Sequence, residues 1–559
     1  MPSTILSPEW ALPGDAVAQR GPAIPWTRSL GLLAVRHYAL CASLVLGLMA
    51  WNVFAGLGGV ALNDSDEARY GVSAWEMLQN RSYIVTTYAG EREYWNLKPP
   101  LGYWLMALSF RLFGPTPFAL RFPSALCALG VVAGTLWIGR RWLGRRESLL
   151  AALMVATAYG FLSNHGARSG DLDATLTLVL LFATYQVSRL GESPWRVVGL
   201  GAILAAGFLI KSFAILPTIA VAGLYALATG AWRKQRFLPC LLALFAFVLP
   251  VAAWALARWH ADGSAYFLTR MVREDLLDRS TQVIDKVTYS PFGYVAALFD
   301  RFAPWPLLIV VAAAAAIVAG KAQGARALAG RFLRDRALLL GLLWALVPLV
   351  LFSLSRTQHH WYLDPSYPAW ALLAAVAATS LLRRVRPERR AAALVACVLL
   401  PLALCEVRVL YRVLVAERMP EPQRFLALLK GHRLELGPEI QTSPLRHSER
   451  FILEAMDGFA VREVAAQGTP RIPLAVAADP EVPASVLIVK AIRRPRLQAP
   501  LGAGIFLDNK DYLLFQGTSQ IAGRSAPRGR GRHRRMSIPR PPPGHLPPSW
   551  RPRSRIVAT

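Results

Sequence analysis

The chain has 559 residues, of which 54% are hydrophobic, and it carries a formal net charge of +28 at pH 7. A mean hydropathy of +0.35 over this length excludes an ordinary soluble protein, because many apolar runs approach the roughly 20 residues that cross a bilayer. The positive charge does not indicate nucleic-acid binding, since it gathers in short loops between apolar runs and in a basic tail. The composition predicts an all-α polytopic protein that contacts membrane lipids and no nucleic acid.

About eleven apolar segments, and at most about 13, are expected to cross the membrane. They are residues 39–61, 119–138, 149–163, 175–186, 198–210, 213–229, 237–256, 306–319, 337–352, 361–382 and 391–411. Arg20, Arg28 and Arg36 precede the first segment, which places the N-terminus in the cytoplasm. The arginine-rich loops that follow then all fall on the cytoplasmic side, in agreement with this orientation.

The chain is expected to consist of a cytoplasmic N-terminal segment, a transmembrane domain, an extracytoplasmic α/β domain and a disordered Arg/Pro-rich tail, at residues 1–38, 39–416, 417–523 and 524–559. Residues 62–118 form the first extracytoplasmic loop, with amphipathic juxtamembrane helices. In the α/β domain, strands are predicted at 484–489 and 512–515, and helices at 422–429 and 449–456. The tail has a composition that cannot form a core.

The first outer loop begins with the charged run Asp64 to Tyr70, directly after the first apolar segment. Asp64 lies three residues before Glu67, a spacing that predicts a helix start of the capping-box type. On such a helix Asp66, Arg69 and Tyr70 share one face. The alternative is that this charged run is only a solvated loop at the membrane interface.

Further ionisable residues stand where apolar segments meet the outer side. They are Lys98, Arg168, Asp171, Asp173, Lys211, Arg273, Glu274, Asp275, Arg279, Arg356, His359 and His360. Ionisable groups at membrane depth are costly and so indicate function. For Asp173 the structural alternative is an acid at a helix N-terminus, for Lys211 it is a snorkelling lysine, and for the two histidines it is an interfacial position.

The runs DEARYGVSAWEMLQN, KPPLGYWLMALSFRLFG and ALRFPSAL, in this order, resemble the first outer loop of the aminoarabinose-transferase and protein-mannosyltransferase superfamily. The resemblance covers about residues 36–411. It implies the GT-C fold, a location in the bacterial inner membrane and the transfer of a sugar, with inversion, from a polyprenyl-phosphate donor. The acceptor could be lipid A, another envelope glycan or a protein, and a transporter or flippase of lipid-linked sugars is the alternative function.

The resemblance also implies roles for individual residues. It assigns catalysis to Asp66, Glu67 and Asp173, and binding of the donor phosphate or substrate to Arg69, Tyr70, Lys98, Lys211, Arg279 and Tyr362. Arg273 competes with Arg279 for its position. Two departures stand out: Ser212 replaces the glycine that usually follows the lysine, and Leu97 replaces an acidic residue proposed in some members to help hold zinc. The sequence therefore predicts no cofactor, with a divalent metal as the alternative.

Overall fold

The computed structural model describes residues 36–94, 96–163, 165–284, 289–321, 335–416, 418–429, 439–442, 445–463, 486–490, 504–508 and 512–516. Nearly all of the predicted N-terminal segment, most of the basic loop between residues 321 and 336, and the predicted tail 524–559 lie outside the described residues. The chain divides into two compact units, Met1–Val60 with Ser73–Arg418 and Ala61–Val72 with Met419–Thr559.

The first unit is built from helices. They are α1 Tyr38–Phe54, α2 Asp66–Gln79 (its residues up to Val72 belong to the second unit), α3 Leu101–Phe113, α4 Pro117–Trp142, α5 Arg145–Ala156, α6 Tyr159–Leu162, α7 Asp173–Ser188, α8 Arg196–Lys211, α9 Leu216–Thr229, α10 Phe237–Asp262, α11 Tyr266–Met271, α12 Arg279–Thr281, α13 Gly293–Arg301, α14 Trp305–Lys321, α15 Arg336–Leu354, α16 Tyr367–Arg384, α17 Arg390–Leu394 and α18 Leu400–Tyr411. A π-helical segment, Val272–Asp278, joins α11 to α12. The strands β1 Thr87–Tyr88 and β2 Glu91–Arg92 form a hairpin, whose turn residues Ala89 and Gly90 both have positive φ.

Seven helical runs in the described part of the chain are long and apolar enough to cross a membrane: Tyr38–Gly59, Pro117–Trp142, Arg196–Thr229, Phe237–Asp262, Arg336–Leu354, His360–Arg384 and Pro387–Val415. The pair Gly293–Arg301 and Trp305–Val318 passes the same test together but is bent by 108°. The prediction of a multi-pass α-helical membrane protein is thus confirmed. The number of about eleven includes shorter helices such as α5 and α7 and stays a prediction.

The longest of these runs, Arg196–Thr229, is a hairpin rather than one span. Beyond its far end, Lys234 Nζ donates to the carbonyl of Gly191 at 2.9 Å, and Gln235 Nε2 donates to the carbonyl of Leu190 at 3.0 Å. Both acceptors precede α8, so the start of α8 and the end of α9 lie at the same end of the unit. The chain therefore reverses at Lys211 and the 3-10 turn Ser212–Ile215. This agrees with the prediction of two separate segments, 198–210 and 213–229.

Small residues allow the helices of the first unit to pack closely. α8 packs against both α7 and α10, and a Cβ on Gly201 of α8 would lie 2.3 Å from the carbonyl oxygen of Ala243 in α10. Side chains larger than hydrogen would push these backbones apart, which is the usual reason for glycine between membrane helices. α4 packs on both α5 and α7. Because α7 also packs on α8, the start of α7 and the end of α8, which carry polar residues, lie together.

The second unit contains a mixed five-stranded sheet of order β4-β3-β5-β7-β6. Its strands are β3 Glu439–Thr442, β4 Ala460–Glu463, β5 Val486–Lys490, β6 Gly504–Asp508 and β7 Tyr512–Gln516. β3 pairs in parallel with β4 and β5, and the remaining pairs are antiparallel. The helices are α19 Glu421–Leu428 and α20 His447–Arg450, which continues as a π-helical segment to Met456. The predicted α/β elements are confirmed.

Candidate active site

A cluster of opposite charges lies where α7, α8, the π-helical segment and the turn before α3 meet in the first unit. Lys98 stands in the turn that leads into α3, and its Nζ donates to both carboxylate oxygens of Asp275 at 2.9 and 2.8 Å. The two side chains are 13% and 8% exposed. Asp275 also accepts from the Ser212 hydroxyl at 2.9 Å and lies 3.5 Å from Arg279 Nε.

Asp275 is therefore shared by two hydrogen-bond donors, Lys98 and Ser212, and by the nearby guanidinium of Arg279. Burial alone would raise its pKa, but the neighbouring Lys98 and Arg279, together with the hydrogen bond from Ser212, outweigh burial and hold the pKa of this carboxyl below its ordinary value. The group is ionised at neutral pH and carries a negative charge that faces two cations. Sequence reasoning placed Asp275 among the outer polar residues but gave it no role in the site.

A second ion pair joins the end of α8 to the start of α7. Lys211 Nζ lies 2.6 Å from each oxygen of Asp173, and the side chains are 12% and 4% exposed. Asp173 is the first residue of α7, where the helix dipole favours an acid. The structure thus gives it both the structural position and a direct contact with Lys211, so the snorkelling alternative for Lys211 is wrong.

Ser212, which follows Lys211, has φ of +39° and ψ of −120°. This backbone conformation favours glycine, the residue that is usual here in the superfamily that the sequence resembles, and a side chain in such a region costs about 1–3 kcal/mol. The serine gains a hydrogen bond from its hydroxyl to Asp275 that glycine cannot make. The strained backbone of Ser212 is thus accompanied by a hydrogen bond from its side chain to Asp275.

Tyr362 and Arg279 complete the polar end of the site. Arg279 lies 3.3 Å from the Tyr362 hydroxyl, and Lys211 Nζ is 5.8 Å from the centre of the tyrosine ring. Arg273, the competing arginine, points elsewhere: its side chain is 77% exposed, and it pairs with Asp278 at 3.7 Å. Of the two arginines, Arg279 lines the site.

These residues surround a cavity of about 380 Å³ in the first unit. One part of its wall is charged or polar and consists of Lys98, Asp173, Lys211, Ser212, Asp275, Arg279 and Tyr362. Another part is apolar and comes from α7, α9 and α15, with Leu176, Leu216, Trp344, Leu351 and Phe352 among its residues. A cavity with one cationic end and an apolar wall suits an anion that is attached to a hydrocarbon chain.

Other predicted outer-face residues have different surroundings. Asp171 pairs with His165 at 3.3 Å and accepts from the Ser169 hydroxyl at 2.7 Å. The ring of Trp361 lies between the rings of His165 and His359, with centroid distances of 3.8 and 4.4 Å. The rings form a stacked layer beside Tyr362, with His165 buried and His359 and Trp361 half-buried, and they are not part of the cavity wall.

Arg168 has a structural function. Its guanidinium donates to the carbonyls of Asn52, Val53 and Ala55 at 2.7, 3.1 and 3.0 Å. These carbonyls belong to the C-terminal end of α1, where backbone acceptors have no partner within the helix. The buried arginine therefore caps a helix, a task that its sequence position does not reveal.

The remaining predicted site residues begin α2 and belong to the second unit. The helix begins at Asp66, and the capping box expected at Asp64 stays a prediction. Asp64 accepts from the backbone and hydroxyl of Ser448, each at 3.0 Å, while Glu67 accepts from Asn63 N at 2.8 Å. Arg69 lies 3.3 Å from His447 Nε2. Asp66 is half-buried, whereas Glu67 and Tyr70 are buried.

A metal is not supported at the position that the resemblance raises. Leu97 is buried and offers no ligand atom, and the adjacent Lys98 binds Asp275 rather than leaving an open carboxylate for an ion. No step of the chemistry below is derived through a metal.

Among known proteins, residues 97–254 match the family model described as dolichyl-phosphate-mannose-protein mannosyltransferase. The undecaprenyl phosphate-α-4-amino-4-deoxy-L-arabinose arabinosyl transferase of Aeromonas hydrophila is 29% identical over 338 residues, which cover 57% of this chain and 56% of the relative. The transferase of the same name from Pseudomonas aeruginosa strain UCBPP-PA14 is 30% identical over 330 residues, with the same coverage. The match thus spans little more than half the length of these relatives.

The crystal structure of ArnT from Cupriavidus metallidurans bound to undecaprenyl phosphate has a TM-score of 0.65 at 19% identity and covers 88% of this chain and 100% of that one. The chain thus shares the fold of that structure. ArnT in the apo state gives a TM-score of 0.63 at 18% identity. The predicted fold class, a polytopic all-α membrane protein, is thereby confirmed, and these matches agree with the resemblance found in the sequence.

Proposed function

We propose that this protein is a membrane glycosyltransferase that moves a sugar from a polyprenyl-phosphate donor to an acceptor of the cell envelope. The observation that carries the proposal is the cavity, in which Lys98, Lys211 and Arg279 converge at one end of an apolar wall. Lysine and arginine are the usual partners of phosphate. The apolar wall suits the first isoprene units of the lipid, with the rest of the chain in the bilayer.

The reaction is a single displacement at the anomeric carbon. The acceptor oxygen attacks from the side opposite the phosphate, the bond between the anomeric carbon and the phosphate oxygen breaks, and its electron pair stays on the departing phosphate. The configuration at the anomeric carbon inverts. Lys98, Lys211 and Arg279 stabilise the negative charge that develops on the departing phosphate. Electrostatic stabilisation of this kind is usually the largest single contribution to catalysis.

Asp66 acts on the acceptor, either by accepting the proton of a hydroxyl or by orienting an acceptor that is already ionised. Glu67 supports the start of α2 through its bond to Asn63. Asp173 fixes the position of Lys211 through their bidentate pair and faces the cavity beside it. Arg69, Tyr70 and Tyr362 are assigned to binding of the substrate.

The donor and acceptor are proposed by class. The names of the relatives point to an undecaprenyl phosphate sugar, with 4-amino-4-deoxy-arabinose as the first sugar to test and mannose as the second. Lipid A, another envelope glycan and protein hydroxyls are the acceptors to compare. Comparison of lipid A from a deletion strain and its parent by mass spectrometry tests the first of these directly.

The orientation belongs to the same proposal. The N-terminus lies in the cytoplasm, while the charged cavity and residues 417–523 lie outside the bacterial inner membrane. The tyrosine Tyr38, at the start of α1, supports one part of this arrangement because the guanidinium groups of Arg140 and Arg145 lie over its ring at 5.1 and 6.0 Å. The start of α1 and the basic loop 140–146 are thus on one side, where basic loops favour the cytoplasm.

A flippase is disfavoured by the position of the charges. Transporters of this size place their ion and substrate sites near the middle of broken helices, between internal repeats. Here Asp173 begins a helix, Lys211 ends one, and Lys98 stands in a turn. The two functions also differ in their products, since only a transferase releases free polyprenyl phosphate.

The test is the release of undecaprenyl phosphate by purified protein in nanodiscs, with binding of the labelled donor measured beside turnover. Asp66→Asn is expected to lower turnover by roughly 10²–10⁴ with donor binding largely kept. Lys98→Ala is expected to weaken donor binding and to lower turnover by roughly 10²–10³. Leu97→Ala serves as the matched control, and only a modest effect is expected.

The roles are distinguished by the pattern rather than by loss of activity alone. If Asp66→Asn abolished donor binding while Lys98→Ala left it intact, the assignment of acceptor and donor sides would be wrong. If the wild-type protein moved the intact donor across the bilayer without releasing undecaprenyl phosphate, the transferase proposal itself would fail.

A further inference from the structure

Asp275 lies against two of the three cations that the proposed function assigns to the donor phosphate, Lys98 and Arg279, and against Ser212 beside them. Its two oxygens accept from Lys98 Nζ at 2.9 and 2.8 Å and from the Ser212 hydroxyl at 2.9 Å, and Arg279 Nε is 3.5 Å away. All four residues line the same cavity. The carboxylate thus makes the type of contacts that a phosphate would make with the same donors.

Two anions placed on the same pair of cations repel each other, so a phosphate that binds Lys98 and Arg279 must compete with Asp275 for their charge. We infer that Asp275 is a built-in competitor that holds the phosphate site in its empty form and is displaced when the donor phosphate binds. The inference rests on the proposed function, since it takes the phosphate as the ligand of this cavity. It gives Asp275 a positioning role, because the carboxylate keeps two partly buried cations in place for the incoming anion.

Ser212 supports this reading independently of the charges. The residue keeps φ of +39° without being glycine, and the contact that distinguishes it from glycine is the hydroxyl bond to Asp275. A side chain at this position therefore costs backbone energy and strengthens the hold on the competing carboxylate. A glycine would relax the backbone and leave Asp275 more easily displaced.

The segment that carries Asp275 can shift at little cost in packing. No residue of the π-helical segment Val272–Asp278 is fully buried, and segments with few buried contacts are the ones that move most easily. π-helical turns are also frequent at functional sites. When the carboxylate leaves, two partly buried cations lose this partner, so the site then favours the more negatively charged ligand.

The product is that ligand. A sugar linked through phosphate is a diester with one negative charge, whereas free polyprenyl phosphate is a monoester whose second ionisation lies near pH 6. Without competition the product would bind more tightly than the donor and would leave slowly. The return of Asp275 to Lys98 and Arg279 therefore promotes release of the product.

The experiment compares Asp275→Asn with Asp278→Asn in full-length protein in nanodiscs, with undecaprenyl phosphate as the probe. Asp278 is the matched control because it lies on the same π-helical segment but pairs with the exposed Arg273. Asp275→Asn is expected to tighten undecaprenyl phosphate binding by about tenfold, the lower end for a charged hydrogen bond. It should also lower both KM for the donor and kcat, while Asp278→Asn leaves all three unchanged.

Tighter binding is a readout that damage to the fold does not produce. If a folded Asp275→Asn protein binds undecaprenyl phosphate more weakly or equally well, the inference that Asp275 competes with the phosphate is overturned. If that variant does not fold, Ser212→Gly decides: tighter binding supports the inference and unchanged binding overturns it. If the wild type transfers sugar but Asp275→Asn does not bind undecaprenyl phosphate more tightly, only the inference about Asp275 is refuted. If Asp275→Asn binds more tightly but no sugar is transferred, the proposed function is refuted and the competition between Asp275 and phosphate remains.

Discussion

Replacement of Lys211 by methionine tests the ion pair between α7 and α8. Methionine keeps much of the length of the side chain and removes the charge. The substitution leaves Asp173, whose side chain is 4% exposed, without the amine that lies 2.6 Å from both of its oxygens. A carboxylate that loses its partner in such surroundings must either stay charged without compensation or take up a proton.

The magnitude follows from the geometry. Two unit charges about 3 Å apart attract by roughly 5 kcal/mol at an effective dielectric constant of about 20. Part of this attraction offsets the cost of removing Lys211 from water, since its side chain is 12% exposed. Breaking a buried pair on one side typically costs about 3–5 kcal/mol, and we expect Lys211→Met to lower the free energy of unfolding by about 3 kcal/mol.

The double variant Lys211→Met/Asp173→Leu removes both charges and is expected to regain most of that stability, because apolar replacement of a whole buried pair is often neutral. It should nevertheless stay inactive, since both residues face the cavity. Unfolding in mixed detergent micelles gives the stabilities, and release of undecaprenyl phosphate gives the activity. A stable single variant would refute the buried pair, and an active double variant would refute its role in the site.

Three further predictions concern other parts of the chain. A reporter fused after Leu429 should be active outside the cytoplasm, and activity only inside would reverse the proposed orientation. Deletion of residues 524–559 should leave turnover of a normally expressed protein intact, because their composition cannot form a core; loss of activity would give the tail a role. Burial and the neighbouring Arg69 hold the pKa of His447 below its ordinary value of 6.5, so the second unit should be at full stability above about that pH and lose stability as the pH falls below it. Hydrogen exchange of residues 447–456, corrected for intrinsic rates, should show this loss, and His447→Gln should abolish it; the same loss in the variant would contradict the assignment.

The sequence was sufficient for the positions of the charged site residues. Lys98, Asp173, Lys211 and Arg279 all interrupt or border apolar runs, and the cost of an ionisable group at that depth is a signal that one chain alone provides. Their partners were not readable in the same way. The pairing of Lys98 with Asp275 joins residues 177 positions apart, and no local pattern encodes which acid meets which base.

Arg168 shows the opposite limit. It met the same criterion as the site residues, yet it binds carbonyls at the end of α1. Cost at membrane depth shows that a charge has a partner, but it does not distinguish a substrate from the protein's own backbone. At the predicted helix start, Asp64 likewise has a tertiary partner in Ser448, which the local pattern does not reveal.

The capping of α1 by Arg168 has a consequence for the order of events during biogenesis. Asn52 and Arg168 are separated by 116 positions, and a ribosome that adds about 5–20 residues per second needs roughly 6–23 s to supply the second after the first. During that interval the open carbonyls at the end of the first helix depend on water, lipid headgroups or the insertion machinery. Loss of Arg168 should therefore appear first as slow maturation and degradation of the newly inserted chain, even in cells where the small fraction that matures has ordinary activity.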